Sequence, residues 1–214
     1  MNLSPIDLLA ISAAVIAVWM CGITRLKTIL FGLAIQTALL ACITILQGMS
    51  EHAWRILLLA GVVILVKALF IPLFLSWSAQ KMNIRRDSGV FMKPSLTLMA
   101  GFCIFTMGYF IAPQVANPDM HNVGAAGMAI SMLLMGMLMM MTRRLAISQV
   151  IGFLVLENGI FLYGLTQTSG LPMMMELGTV FDVLVGVLIS GVVIFRINRN
   201  FEHMDVTQMR GLRH

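Results

Sequence analysis

LAISQVIGFLVLENGIFLYGLTQT, residues 145–168, decides the fold class. A helix needs about 20 mostly apolar residues to cross a bilayer, and this run is long enough. It carries one charged side chain, Glu157, near its middle, and two arginines, Arg143 and Arg144, stand just before it. An apolar run of this length with positive charge at one end reads as a transmembrane helix. A membrane β-strand would instead alternate with period 2 over about 10 residues. Runs such as Met132–Met141 show no such alternation.

The same pattern recurs along the chain. Apolar runs at 5–23, 28–49, 56–79, 95–113, 121–141, 145–168 and 172–195 predict an all-α, polytopic membrane protein with seven transmembrane helices. Pro5, Pro94 and Pro172 fall where helices begin, a position that tolerates proline. Pro113 and Pro118 are expected in the connection after the fourth span. The membrane domain then occupies 1–195, and 196–214 forms a short tail too small for a soluble module. The start of the chain lacks the basic stretch of a cleaved signal peptide, so the first run is expected to persist as a helix.

Composition agrees. Of 214 residues, 59% are hydrophobic and 11% charged, with a mean hydropathy of +0.95. Soluble domains run at roughly 45–50% apolar and about 25% charged, so a soluble reading is excluded. The net charge of +5 does not point to nucleic acid, because the basic residues flank apolar runs. With the N-terminus outside, the inner connections hold Arg25, Lys27, Lys81, Arg85, Arg86, Lys93, Arg143 and Arg144. The inner tail adds Arg196, Arg199, Arg210 and Arg213, while only Arg55 falls outside. This asymmetry predicts an outer N-terminus and an inner C-terminus.

Cys21, Cys42 and Cys103 lie far apart in apolar stretches and suggest buried small side chains rather than a disulfide or metal framework. The methionines between Met128 and Met141 read as core packing, since no histidine accompanies them at ligand spacing. No phosphate-binding glycine loop, nucleophile elbow or Cys–His pair is present.

Most acids, Asp7 and Asp87 among them, lie near span ends and read as solvated. Lys67, Glu157 and Asp182 differ, for each falls deep inside a span. At 1.5 Å per residue, Glu157 is about 18 Å from Leu145, Lys67 about 21 Å from Lys81 and Asp182 about 21 Å from Arg196. Three helices thus place ionisable groups at one depth, where each charge costs about 2.5–3.5 kcal/mol on insertion scales. The residues leave two readings open: lateral proton transfer along the layer, or an ion pair that fixes helix packing. Gly178, Gly186 and Ser190 flank Asp182 on one small-residue stripe, so Asp182 is expected to face protein. Asn158 follows Glu157 and can orient a carboxylate or make a plain interhelical contact. Pro72, five residues after Lys67, removes a backbone donor and is expected to kink its helix. Glu176 is either an outer gate or a headgroup-level residue.

These residues carry a resemblance. Thr142-Arg143-Arg144, Ile151-Gly152, Leu156-Glu157-Asn158-Gly159, Asp182 with Gly186, and the tail from Asp205 to Gly211 resemble the three-span K-type subunit of respiratory complex I over 121–211. Val66-Lys67, Pro72, Glu157-Asn158-Gly159 and Glu176-x-Gly178-x-x-x-Asp182 extend the likeness to the full chain. The longer match is similar to component E of hydrogenase-4 and formate hydrogenlyase-type membrane-bound nickel–iron hydrogenases. In the K-type register the first acid falls on Leu154, three residues before Glu157, whereas Asp182 matches the second.

The resemblance implies a non-catalytic membrane-arm subunit in a bacterial or archaeal cytoplasmic membrane. It would join antiporter-like membrane subunits to a cytoplasmic hydrogenase module. It also implies that Lys67, Glu157, Asp182 and Glu176, supported by Asn158, Pro72, Gly178 and Gly186, serve a path for protons or sodium ions. The chain itself would carry no cofactor; the nickel–iron centre and iron–sulfur clusters would belong to partners. Two other readings remain at this stage: a subunit of a multi-subunit cation/proton antiporter, and a purely structural scaffold.

Overall fold

A computed structural model of the chain describes residues 4–50, 58, 60, 61, 63–81, 87, 91–116 and 122–167. Among these are six α-helices: α1 (Pro5–Cys21), α2 (Leu26–Ser50), α3 (Ile71–Lys81), α4 (Pro94–Val115), α5 (Val123–Thr142) and α6 (Ala146–Gln167). A π-helical stretch, Val63–Phe70, runs directly into α3. Four helical stretches are long and apolar enough to cross a membrane: Leu26–Met49, Pro94–Val115, Val123–Thr142 and Ala146–Gln167. Two shorter ones, Pro5–Cys21 and Lys67–Trp77, are apolar as well. The chain is therefore an all-α, multi-pass membrane protein. The span expected at 172–195, with Glu176, Gly178, Asp182 and Gly186, and the tail at 196–214 lie outside the described residues.

Contacts between named residues give the helix directions. Gln36 of α2 reaches Ala13 of α1, and Gly32 lies against Met20, so α1 and α2 are antiparallel. Ser131 of α5 faces Ile104 and Gly108 of α4, while Gly127 faces Ala112, so α4 and α5 are antiparallel. Among the described residues, the α5–α6 pair is the most extensive helix contact. Its closeness rests on glycine: a Cβ at Gly159 would lie 2.6 Å from the Leu133 nitrogen and 2.7 Å from the Ala129 oxygen. Small residues let two backbones touch where lipid supplies no hydrophobic drive between helices.

Buried side chains fill the centre. Met128, Met132, Met135 and Met139 form a buried stripe on α5, packed with Met20, Leu33, Leu40, Val155 and Leu162. The outer faces of the bundle are apolar too, with Phe70, Leu73 and Phe110 exposed. Cys21 is buried, but Cys42 and Cys103 lie on that outer surface. The expectation of three buried cysteines thus fails for two of them. In a chain whose natural solvent is lipid, apolar character does not separate inside from outside.

The helix ends hold the second departure. Asp7 was expected near water, yet it is buried. It closes a capping box on α1, in which the Asp7 amide donates to Ser4 Oγ at 3.1 Å and the Ser4 amide to Asp7 Oδ2 at 3.2 Å. Its other oxygen accepts the Ala125 amide of the first turn of α5 at 2.8 Å. One carboxylate thus satisfies orphan donors at two helix N-termini.

Arg143 is fully buried as well. Its Nη2 donates to the carbonyls of Met20, Cys21 and Ile23 at 3.3, 3.1 and 2.7 Å, just where a helix C-terminus favours a cation. Burial pulls the guanidinium below its ordinary pKa range, and nearby Asp87 acts in the opposite sense. Asp87, also expected in water, is buried; its amide donates to Thr24 O at 2.9 Å. Asp7 and Arg143 together tie both ends of α1 to the matching ends of α5, so these two helices run parallel.

Pro113 departs from expectation too: it lies inside α4. A proline in a last turn removes only one intrahelical bond, so the helix passes through it to Val115.

Candidate functional site: a buried polar layer

Apolar helices seldom bury a charge, so Lys67 and Glu157 define the site. Lys67 is 7% exposed and Glu157 2%. Lys67 Nζ donates to Glu157 Oε1 at 2.5 Å, across a separation of 90 residues. The amine also lies 5.6 Å from the centre of the Phe161 ring, one helical turn beyond Glu157 on α6. An aromatic face adds attraction for a cation that has left water.

The π-helical stretch that presents Lys67 ends two residues before Pro72. In an α-helix the Ala68 carbonyl would accept from residue 72, which has no N–H. The helix is widened around Lys67, just before Pro72. Such stretches are rare and often mark functional sites.

Asn158, the next residue on α6, turns toward α2. Its Nδ2 lies 3.3 Å from both Gln36 Oε1 and Thr37 Oγ1. Gln36 Nε2 donates in turn to the Ala13 carbonyl of α1 at 3.3 Å, and Thr37 Oγ1 to Leu33 O at 2.9 Å. Glu157, Asn158, Gln36, Thr37 and Lys67 therefore form one buried polar layer built from α2, the π-helical stretch and α6, and anchored on α1. Each interhelical bond here replaces a polar group that would otherwise be stranded in an apolar interior.

Of the residues singled out from sequence, Lys67, Glu157 and Asn158 come together in this layer, and buried Pro72 sits one turn beyond Lys67. Glu176, Gly178, Asp182 and Gly186 lie outside the described residues. Gln36 and Thr37 were not among the predicted site residues. An amide in the middle of an apolar run was a signal for Gln36; Thr37 gave none, because threonine is common in helices and can satisfy its hydroxyl on its own backbone.

Among the described residues, no group of three or more His, Cys, Asp or Glu side chains is placed to hold a metal. What the layer offers instead is a carboxylate and an amine in direct contact, plus fixed amide and hydroxyl dipoles. That set can hold and pass a proton, and can pair helices.

Comparison with known proteins finds two kinds of relative. It is 31% identical over 204 residues to the uncharacterized protein Rv0085 of Mycobacterium tuberculosis, covering 94% of this chain and 91% of that one. It is 21% identical over 182 residues to hydrogenase-4 component E of Escherichia coli, covering 84% of each, and equally to that of Shigella flexneri. No protein-family profile and no solved structure matches.

Proposed function

We propose that this chain, which belongs to the family of the uncharacterized protein Rv0085 of Mycobacterium tuberculosis, is a membrane-arm subunit of a complex I-like membrane-bound hydrogenase. In this reading it contributes Lys67 and Glu157, with Asp182 and Glu176 from a seventh span, to an ion path driven by redox chemistry in partner subunits. The observation that carries the reading is the buried Lys67–Glu157 contact, in a chain distantly related to hydrogenase-4 component E. A buried amine and acid in one layer can exchange charge as neighbouring groups move, and that is the element a lateral proton path needs.

The proposed topology has seven spans, the N-terminus outside and the C-terminus inside, in a bacterial or archaeal cytoplasmic membrane. Parallel α1 and α5 support it, because an odd number of crossings must separate two parallel spans. With α2 and α4 crossing, the stretch around Lys67 crosses as well. Partners are antiporter-like membrane subunits and a cytoplasmic hydrogenase module. Nickel–iron and iron–sulfur chemistry belongs to those partners.

The test is ion uptake by inverted membrane vesicles containing the assembled complex. Asp182→Asn should leave assembly intact; Glu157→Gln, which keeps an oxygen for Lys67 but loses the charge, should lower the assembled yield; both should reduce redox-driven uptake per assembled complex. Unchanged uptake in both variants would leave these residues as helix-pairing devices only. Copurification of antiporter-type subunits without any nickel–iron protein would shift the reading to a cation/proton antiporter.

A further inference from the structure

The cation slot beside Glu157 is already filled by an amine that belongs to the chain. From this we infer that the buried layer handles protons and excludes sodium, with Lys67 as the specificity-determining residue. The inference rests on the reading above and names the ion that the same site takes.

A sodium site needs several oxygens converging on one point, at least some of them anionic, with no competing positive charge. Among the described residues Glu157 is the carboxylate of the layer, and Lys67 Nζ stands on its Oε1. An ammonium and a sodium ion compete for the same lone pairs and repel each other at contact distance. The neutral oxygens nearby are turned to other partners. Gln36 Oε1 and Thr37 Oγ1 both face the Asn158 amide nitrogen, which is a donor. The amide nitrogen takes one lone pair on each of these oxygens and turns them toward α6. The Phe161 ring on the far side of the amine adds no oxygen.

A proton meets none of these obstacles. It binds a carboxylate oxygen without a coordination shell, and the Lys67–Glu157 pair can shift it within an existing hydrogen bond.

Carbodiimide labelling of Glu157 in the assembled complex tests this, with peptide mass spectrometry as the readout. The reagent adds to protonated buried carboxyls, and a bound sodium ion protects them. Native complex should label more as pH falls, with equal yield in sodium and choline buffers. Lys67→Arg keeps the positive charge and should also ignore sodium. Lys67→Gln opens the slot, so sodium should lower its labelling relative to choline. Sodium protection of the native complex would overturn the inference while leaving an ion path in place. Equal labelling of Lys67→Gln in both buffers would remove Lys67 as the determinant and overturn it too. A Glu157 that takes no label at any pH has no exchangeable proton, which would overturn both this inference and the reading beneath it.

Discussion

Lys67→Met tests how much the buried pair matters to the fold, and its size follows from the geometry. Methionine matches the length of the lysine stem, so packing against Phe161 is largely kept while the charge goes. Glu157, 2% exposed, then loses a partner at 2.5 Å. Breaking a buried pair from one side costs about 3–5 kcal/mol. A second route bounds the loss independently. The stranded carboxylate can take up a proton, and protonating an ordinary glutamate at pH 7 costs about 3.7 kcal/mol, from 1.36 kcal/mol per unit over roughly 2.7 units. The two figures agree, so we expect Lys67→Met to lose about 4 kcal/mol at pH 7.

The sign with pH follows. A proton becomes easier to acquire as pH falls, so the penalty should shrink by about 1.4 kcal/mol per unit toward pH 5. Lys67→Met/Glu157→Gln removes both charges and should recover most of the loss. Denaturation midpoints of the fluorescently tagged chain in detergent, followed by size-exclusion, measure all three effects. A Lys67→Met penalty below about 1 kcal/mol at pH 7, or one that grows on acidification, would refute the argument.

Three further outcomes are expected. Gly159→Leu should abolish the monodisperse folded fraction on size-exclusion, because its Cβ meets backbone of Leu133 and Ala129 that cannot yield; Gly61→Ala, with nothing within 4 Å, should be tolerated. Arg143→Met removes three bonds to the end of α1 and should lose about 3 kcal/mol in a denaturant titration, and Arg143→Lys should not fully restore it, lacking the planar fork. Asp7→Ala removes the acceptor of the Ser4 amide and hydroxyl and of the Ala125 amide, so stability in a denaturant titration should fall by about 2 kcal/mol, with Asp7→Asn intermediate.

How much of this was readable in advance varies from residue to residue. Apolar runs bounded by basic residues announced the helices, because length and hydropathy are local properties and a bilayer imposes one thickness on every span. The starts at Pro5 and Pro94 were legible for the same reason, since a missing N–H is harmless only in a first turn. Lys67 and Glu157 stood out as charges far from any span end. Their partnership did not, for nothing local in either segment names a neighbour 90 residues away.

Asp7, Asp87 and Arg143 show the opposite failure. Proximity to a span end suggests water, yet all three are buried, and Asp7 and Arg143 close the ends of neighbouring helices. Cys42 and Cys103 fail in mirror image, because an apolar residue is equally at home against lipid or in the core. Sequence by itself determined that this chain is a bundle of membrane helices with charges set deep inside. Tertiary structure alone decided which charges meet, which helix ends they close and which apolar faces turn outward, because those are properties of packing between segments and not of any segment alone.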